Sequence, residues 1–171
     1  MLRKICEQIK RWPKTGHGGV RVAANVSIQQ LLCNDFAIKL QSLLSEYDIP
    51  AQRLEVDITE SMLQQSSAVL SAIGSIKLLG VSLTLDDFGF GYSSLSSLKG
   101  LPFDRVKIDR SFIRDLPENS QDAALTNVII AMASALNLEV VAEGVETQAQ
   151  LDFLTGNGCT TVQGYLIVLC Y

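Results

Sequence analysis

The sequence predicts an α/β fold, a (β/α) barrel of the TIM type with about six of its eight strands present, organised as a single domain over residues 1–171. Three observations carry this reading. Short β-type runs alternate with helix-period segments, the pattern of a parallel sheet. Each run is apolar until its C-terminal end and then presents a carboxylate, an amide or an amine. Barrels gather a site at that face from many strands, whereas an open doubly wound sheet concentrates it at one switch point. Polar ends on every strand favour the barrel.

The elements follow in order. Met1 to Trp12 sets Leu2, Ile5, Cys6, Ile9 and Trp12 on one helical stripe, and Pro13 ends it. Gly16 to Gly19 form a turn, and Val20 to Asn25 a short strand. One long amphipathic helix is predicted from about Ile28 to Tyr47, with Leu31, Leu32, Phe36, Leu40, Leu43 and Leu44 at helical spacing. Pro50 closes that unit. Leu54 to Ile58 is a strand, followed by a helix from Ser67 to Leu79 and a stop at Gly80. Val81 to Leu85 is a strand leading into Asp86-Asp87, with a short helix near Ser93 to Leu98. Phe103 to Ile108 is a strand, and a helix runs from about Gln121 to Leu136 after Pro117. Leu138 to Ala142 is a strand, Thr147 caps a helix over Gln148 to Leu154, and Cys159 to Gly164 is the last strand.

Composition narrows the function. Hydrophobic residues make up 47% and charged residues 19%, an ordinary globular balance. A net charge of -4 and a pI near 4.9 argue against DNA or RNA as a partner, since either needs a basic stripe. A small phosphorylated ligand is still allowed, because bound metal ions reverse the local charge. Cys6, Cys33, Cys159 and Cys170 are far apart and form no C-x-x-C pair, so they read as free thiols in a reducing compartment. The single histidine, His17, lies in a glycine-rich stretch and reads as a solvated loop residue. No apolar run approaches the roughly 20 residues that span a bilayer, which predicts a cytoplasmic domain, cut or not from a membrane-anchored parent.

The strand ends supply the chemistry. Asn25 closes the first strand, and Asp57 with Glu60 the second. Asp86 and Asp87 close the third, Lys107 and Asp109 the fourth, Glu143 the fifth and Gln163 the sixth. Any one of these is explained as a solvated cap or a structural ion pair. Together, so many carboxylates on one rim would repel unless cations occupied the centre. Oxygen donors without His or Cys suggest magnesium or manganese. Adjacent aspartates suit a two-metal site, which activates water for in-line attack on a phosphodiester.

These segments resemble the EAL-domain cyclic-di-GMP phosphodiesterases. Ala24-Asn25-Val26-Ser27 is similar to that family's N-x-S segment, and Asp57-Ile58-Thr59-Glu60-Ser61 to its E-x-T-E-S motif. Asp86-Asp87-Phe88-Gly89-Phe90-Gly91-Tyr92-Ser93-Ser94-Leu95 resembles D-D-F-G-T-G-Y-S-S-L. Lys107-Ile108-Asp109, Val141-Ala142-Glu143-Gly144-Val145-Glu146-Thr147 and Val162-Gln163-Gly164-Tyr165 follow in the family's order. The resemblance implies that Asn25, Asp57, Asp86 and Asp87 are metal ligands, with Asp86 bridging two Mg2+ or Mn2+ ions. It implies that Lys107 positions the attacking water or stabilises phosphate charge, and that Glu143 stands beside the metal centre. Gln163 would order solvent, Glu60 would support the Asp86-Asp87 loop, and Asp109 would belong to the same supporting set. Cyclic-di-GMP is the implied substrate and linear pGpG the product. A homodimer through the loop after Asp87 is also implied, although Tyr92 to Leu95 reads equally as a serine-capped helix start. The parent protein would carry sensory or GGDEF domains.

Three departures set expectations for this chain. It begins within what resembles the second helix, and no E-A-L stands upstream of Asn25 to supply the family's further glutamate ligand. Asp57 stands where the family has Glu, one methylene or about 1.5 Å shorter. Phe90 replaces a threonine, and Leu166 to Tyr171 departs from the family's ending. A weak or inactive phosphodiesterase is therefore expected. The alternative is a catalytically inactive module that binds cyclic-di-GMP or another protein.

Overall fold

The computed structural model describes residues 1–12, 20–33, 35–63, 66–89 and 100–167. The predictions for the Gly16 to Gly19 turn, His17, the Tyr92 to Leu95 loop and its helix, Phe90 and Cys170 lie outside these residues. Six strands form one sheet in chain order: β1 (Val22–Asn25), β2 (Leu54–Thr59), β3 (Ser82–Phe88), β4 (Arg105–Ile108), β5 (Glu139–Glu143) and β6 (Thr161–Gln163). The β1–β2, β4–β5 and β5–β6 pairs are parallel. A doubly wound sheet reverses its order at a switch point, and this one does not. The predicted α/β class and the barrel-type repeat therefore hold.

The chain packs as two compact units, Met1–Thr84 with Gly100–Pro102, and Leu85–Lys99 with Phe103–Tyr171. In the first, α1 (Leu2–Arg11) buries Cys6 and Ile9, and packs on β1 and on α3 (Phe36–Tyr47). Leu40 and Leu44 of α3 complete this layer. The helix expected to run unbroken from Ile28 to Tyr47 is in fact two, α2 (Ile28–Leu31) and α3. Asp35 stands at the N-terminus of α3 and pairs with Lys39 one turn on, at 3.4 Å. Asn and Asp compete with helical backbone bonds, so Asn34-Asp35 favours a new start over continuation. Ser27 caps α2 through a reciprocal box with Gln30.

Leu54, Val56 and Ile58 are fully buried on one face of β2, and Glu55 and Asp57 are buried on the other. A strand covered on both faces is the mark of a parallel sheet. α4 (Glu60–Leu63) follows directly, and α5 (Ser67–Leu78) packs on α2 and α3. Gly80 takes the left-handed φ of 82° that the predicted stop requires.

In the second unit α6 (Arg110–Ile113) and α7 (Ser120–Ala135) pack on each other and on β5. Asn119 caps α7 through the Gln121 and Asp122 N–H groups. α8 (Gln148–Gly156) begins at the predicted Thr147 cap. The strands shift from their predicted bounds by one to three residues. β3 gains most, running through Asp86 and Asp87 to Phe88. Among the described residues no helix is long and apolar enough to cross a membrane.

Candidate active site

In the second unit, β3 delivers Asp86 and Asp87 at its C-terminal end. Asp86 is buried and Asp87 exposed. Asp87 adopts a left-handed φ of 55°, which Asp tolerates better than most residues, and its N–H donates to Asp86 Oδ1 at 3.0 Å.

β4 and β5 add the next two groups. Their register pairs Lys107 with Val141, which places Glu143 two residues further along the same face of β5. Lys107 Nζ lies 2.6 Å from Glu143 Oε1 and 3.5 Å from Asp86 Oδ1. A buried ammonium requires opposite charge in contact, and this one, 9% exposed, has two carboxylates. Three residues picked out at separate strand ends thus form one cluster. Asp87 borders it: partial desolvation, then the Asp86 and Asp109 charges, push its carboxyl above the ordinary Asp value, while Lys107 pulls the other way. Asp109 has a structural task as well, accepting the Ser111 N–H at 2.7 Å to cap α6.

Gln163 ends β6 in register with Glu143 and is exposed. The two following segments are tied by backbone, with Val145 N–H donating to Gln163 O at 3.1 Å and Leu166 N–H to Val145 O at 3.1 Å. A Cβ on Gly164 would stand 2.2 Å from Val145 O, so only glycine permits this approach. Beside it opens a cavity of about 380 Å³ lined by Arg110, Glu143, Glu146, Gln163 and Tyr165. Arg110 pairs with Glu146 at 3.0 Å, and Tyr165 is 70% exposed.

Asn25, Asp57 and Glu60 belong to the first unit. Asn25 and Asp57 are register partners across β1–β2, and Val26 N–H donates to Asp57 O at 3.3 Å. Asn25 is exposed, whereas Asp57 and Glu60 are 3% and 2% exposed. Glu60, read as part of the strand end, instead opens α4. One buried acid was missed: Glu55, paired with Arg21 at 3.4 Å. The signal was available, because Glu55 and Asp57 are two apart and share a face.

The donor chemistry fits a hard divalent cation: apart from the Lys107 ammonium the groups are oxygen ligands, and beyond its partial desolvation Asp87 feels the Asp86 and Asp109 charges, which a cation would offset. The fit is partial. Among the described residues no three His, Cys, Asp or Glu side chains stand close enough to hold an ion on their own.

Comparison with known proteins places these features in a family. The EAL domain model matches residues 1–169. The chain is 39% identical over 168 residues to the bifunctional diguanylate cyclase/cyclic di-GMP phosphodiesterase MucR of Pseudomonas aeruginosa, covering 98% of this chain and 24% of that protein. It is 42% identical over 167 residues to the cyclic di-GMP phosphodiesterase NbdA of the same organism, covering 97% and 21%. The chain thus spans about a quarter or less of the length of these relatives. The structure of the MucR phosphodiesterase in complex with c-di-GMP superposes with a TM-score of 0.92 at 38% identity, over 98% of this chain and 68% of that one. The Klebsiella pneumoniae BlrP1 manganese/cy-diGMP complex gives 0.86 at 25% identity, over 96% and 43%.

Proposed function

The chain belongs to the EAL domain family, and from that membership we propose that it is the core of a cyclic-di-GMP phosphodiesterase, hydrolysing one phosphodiester bond to give linear pGpG. The observation that carries the reading is the Lys107 ammonium held between Asp86 and Glu143 with Asp87 beside it. A compact cation fixed by two carboxylates is suited to an equatorial phosphate oxygen or the attacking water. Relatives support the substrate: MucR and NbdA are named for cyclic-di-GMP hydrolysis, and MucR was solved with the dinucleotide.

Under this proposal Asn25, Asp57, Asp86 and Asp87 hold magnesium or manganese, two ions in the complete site. When bound, such ions polarise phosphate oxygens and lower the pKa of water. The chain's own groups do the rest. Lys107 neutralises charge developing on the phosphate, and Glu143 keeps the ammonium aimed. Asp87 would help to hold the second ion beside this cluster. Glu60 would support the Asp86-Asp87 loop, Asp109 caps the helix that follows Lys107, and Gln163 would order solvent beside Glu143. Arg110 and the exposed Tyr165 offer a charge and an aromatic face to the rest of the dinucleotide. A homodimer through the loop after Asp87, a multidomain parent and a cytoplasmic setting belong to the same proposal.

Two features favour a second reading. Asp57 is short for its position, and no three ligand side chains converge among the described residues. That suits a module that binds cyclic-di-GMP without cleaving it. Purified chain incubated with cyclic-di-GMP and manganese should yield pGpG only slowly, as expected of a site whose Asp57 ligand is short, and EDTA should stop it. Saturable calorimetric binding in EDTA with no product in manganese would establish the second reading instead.

A further inference from the structure

Glu55 has no part in the reaction proposed above, yet it is buried two residues before Asp57 on the same face of β2. That spacing is about 7 Å at the rise of an extended strand. Barrel interiors place branched apolar residues at such positions. A glutamate 4% exposed there is costly unless a cation meets it.

Arg21 supplies that cation, and the β1–β2 register shows how. Asn25 pairs with Asp57 and Ala23 with Glu55, while Arg21 immediately precedes β1. Alternation puts Arg21, Ala23 and Asn25 on one face. Ala23 has no side chain beyond Cβ, so the flank of Glu55 stays open to the longer Arg21. Its Nη1 donates to Glu55 Oε2 at 3.4 Å. Charge on this face is therefore layered, with Asn25 and Asp57 at the rim, Glu55 beneath Asp57 and Arg21 beneath Glu55.

Stability is a poor reason for such a pair. Apolar side chains of similar size commonly replace a buried ion pair at no cost. This pair is also long, and the Arg21 side chain is 34% exposed. Field at the rim is a better reason. A carboxylate beneath Asp57 strengthens the negative potential that a divalent cation meets, and the guanidinium beneath it offsets the excess.

We propose that Glu55 is a positioning residue of the metal site, raising through its charge the affinity of Asn25 and Asp57 for a divalent cation, with Arg21 as the counterweight that lowers it. This rests on the reading of Asn25 and Asp57 as metal ligands.

Manganese binding to the full chain is measured by calorimetry without substrate, beside urea unfolding of the same proteins in EDTA. Glu55→Gln leaves the Arg21 charge unbalanced and should weaken manganese about tenfold. Arg21→Gln removes the counterweight and should tighten it about threefold. The double variant should lie between them, about threefold weaker than the parent. Opposite signs from the two halves of one ion pair are the mark of a field, whereas a packing role weakens the metal in both. If Glu55→Gln does not fold, Arg21→Gln decides. Unaltered affinity in the deciding variant, or weakened binding in both single variants, overturns the proposal while manganese binding by the parent stands. Asp57→Asn tests the ligand assignment separately: a parent that binds no manganese, or unchanged binding in Asp57→Asn, removes that assignment and this proposal with it.

Discussion

At the residue scale the structure turns a pattern into a contact. The strand-end rule selected Asp86, Lys107 and Glu143 from sequence because each follows an apolar run. It did not say that one ammonium joins the other two, at 2.6 and 3.5 Å. That depends on the β4–β5 register, which pairs Lys107 with Val141 and is invisible to composition. Lys107→Met removes the cation and leaves carboxylates facing each other. The expected loss is at least about 100-fold in kcat, with a lowered melting temperature. Asp57→Glu restores the longer ligand and should tighten manganese binding about tenfold, read by calorimetry and by the metal dependence of turnover. Unchanged metal affinity would remove Asp57 from the proposed ligand set.

At the element scale the periodic segments were legible and the one-turn ones were not. α7 and α8 have enough turns to show their faces, and Thr147 was readable as a cap. α4 and α6 are four residues each, too short for a period, and follow directly on the polar strand ends Thr59 and Asp109. The break between α2 and α3 was missed because the apolar spacing continues across Asn34-Asp35. Gln150 shows what a cap can conceal. Its Oε1 accepts from Glu146 N–H at 2.7 Å and Thr147 N–H at 3.0 Å, while Nε2 donates to Arg114 O at 3.0 Å. This buried amide closes the start of α8 and ties it to the end of α6. Gln150→Ala should cost about 2 kcal/mol in urea unfolding, more than a surface cap, because it leaves buried donors unpaired.

At the scale of the whole molecule, chain-order strands made the fold class readable, since a repeating β-then-helix unit has few alternatives. The division into two compact units was not readable, because no linker or composition shift marks Thr84 and Leu85 in mid-strand. β3 contributes residues to both units, so a single cooperative transition is predicted. Trp12 fluorescence, reporting the first unit, should coincide with far-UV dichroism, and separated midpoints would contradict this. Burial raises the Cys159 thiol above its ordinary value of 9.0. The folded state then holds that proton more tightly than the unfolded one, so this contribution is complete below about pH 9 and is lost as the pH climbs through the folded value. Among the described thiols, a disulfide-exchange reagent should label exposed Cys33 rapidly and buried Cys6 and Cys159 only on unfolding.

The central claim is that a lysine-centred carboxylate cluster hydrolyses cyclic-di-GMP. Its most direct test is product formation by the chain and by Lys107→Met, side by side, at saturating manganese and substrate. The account predicts slow but measurable accumulation of pGpG by the first and loss of nearly all of it by the second. Equal rates from the two proteins would contradict it.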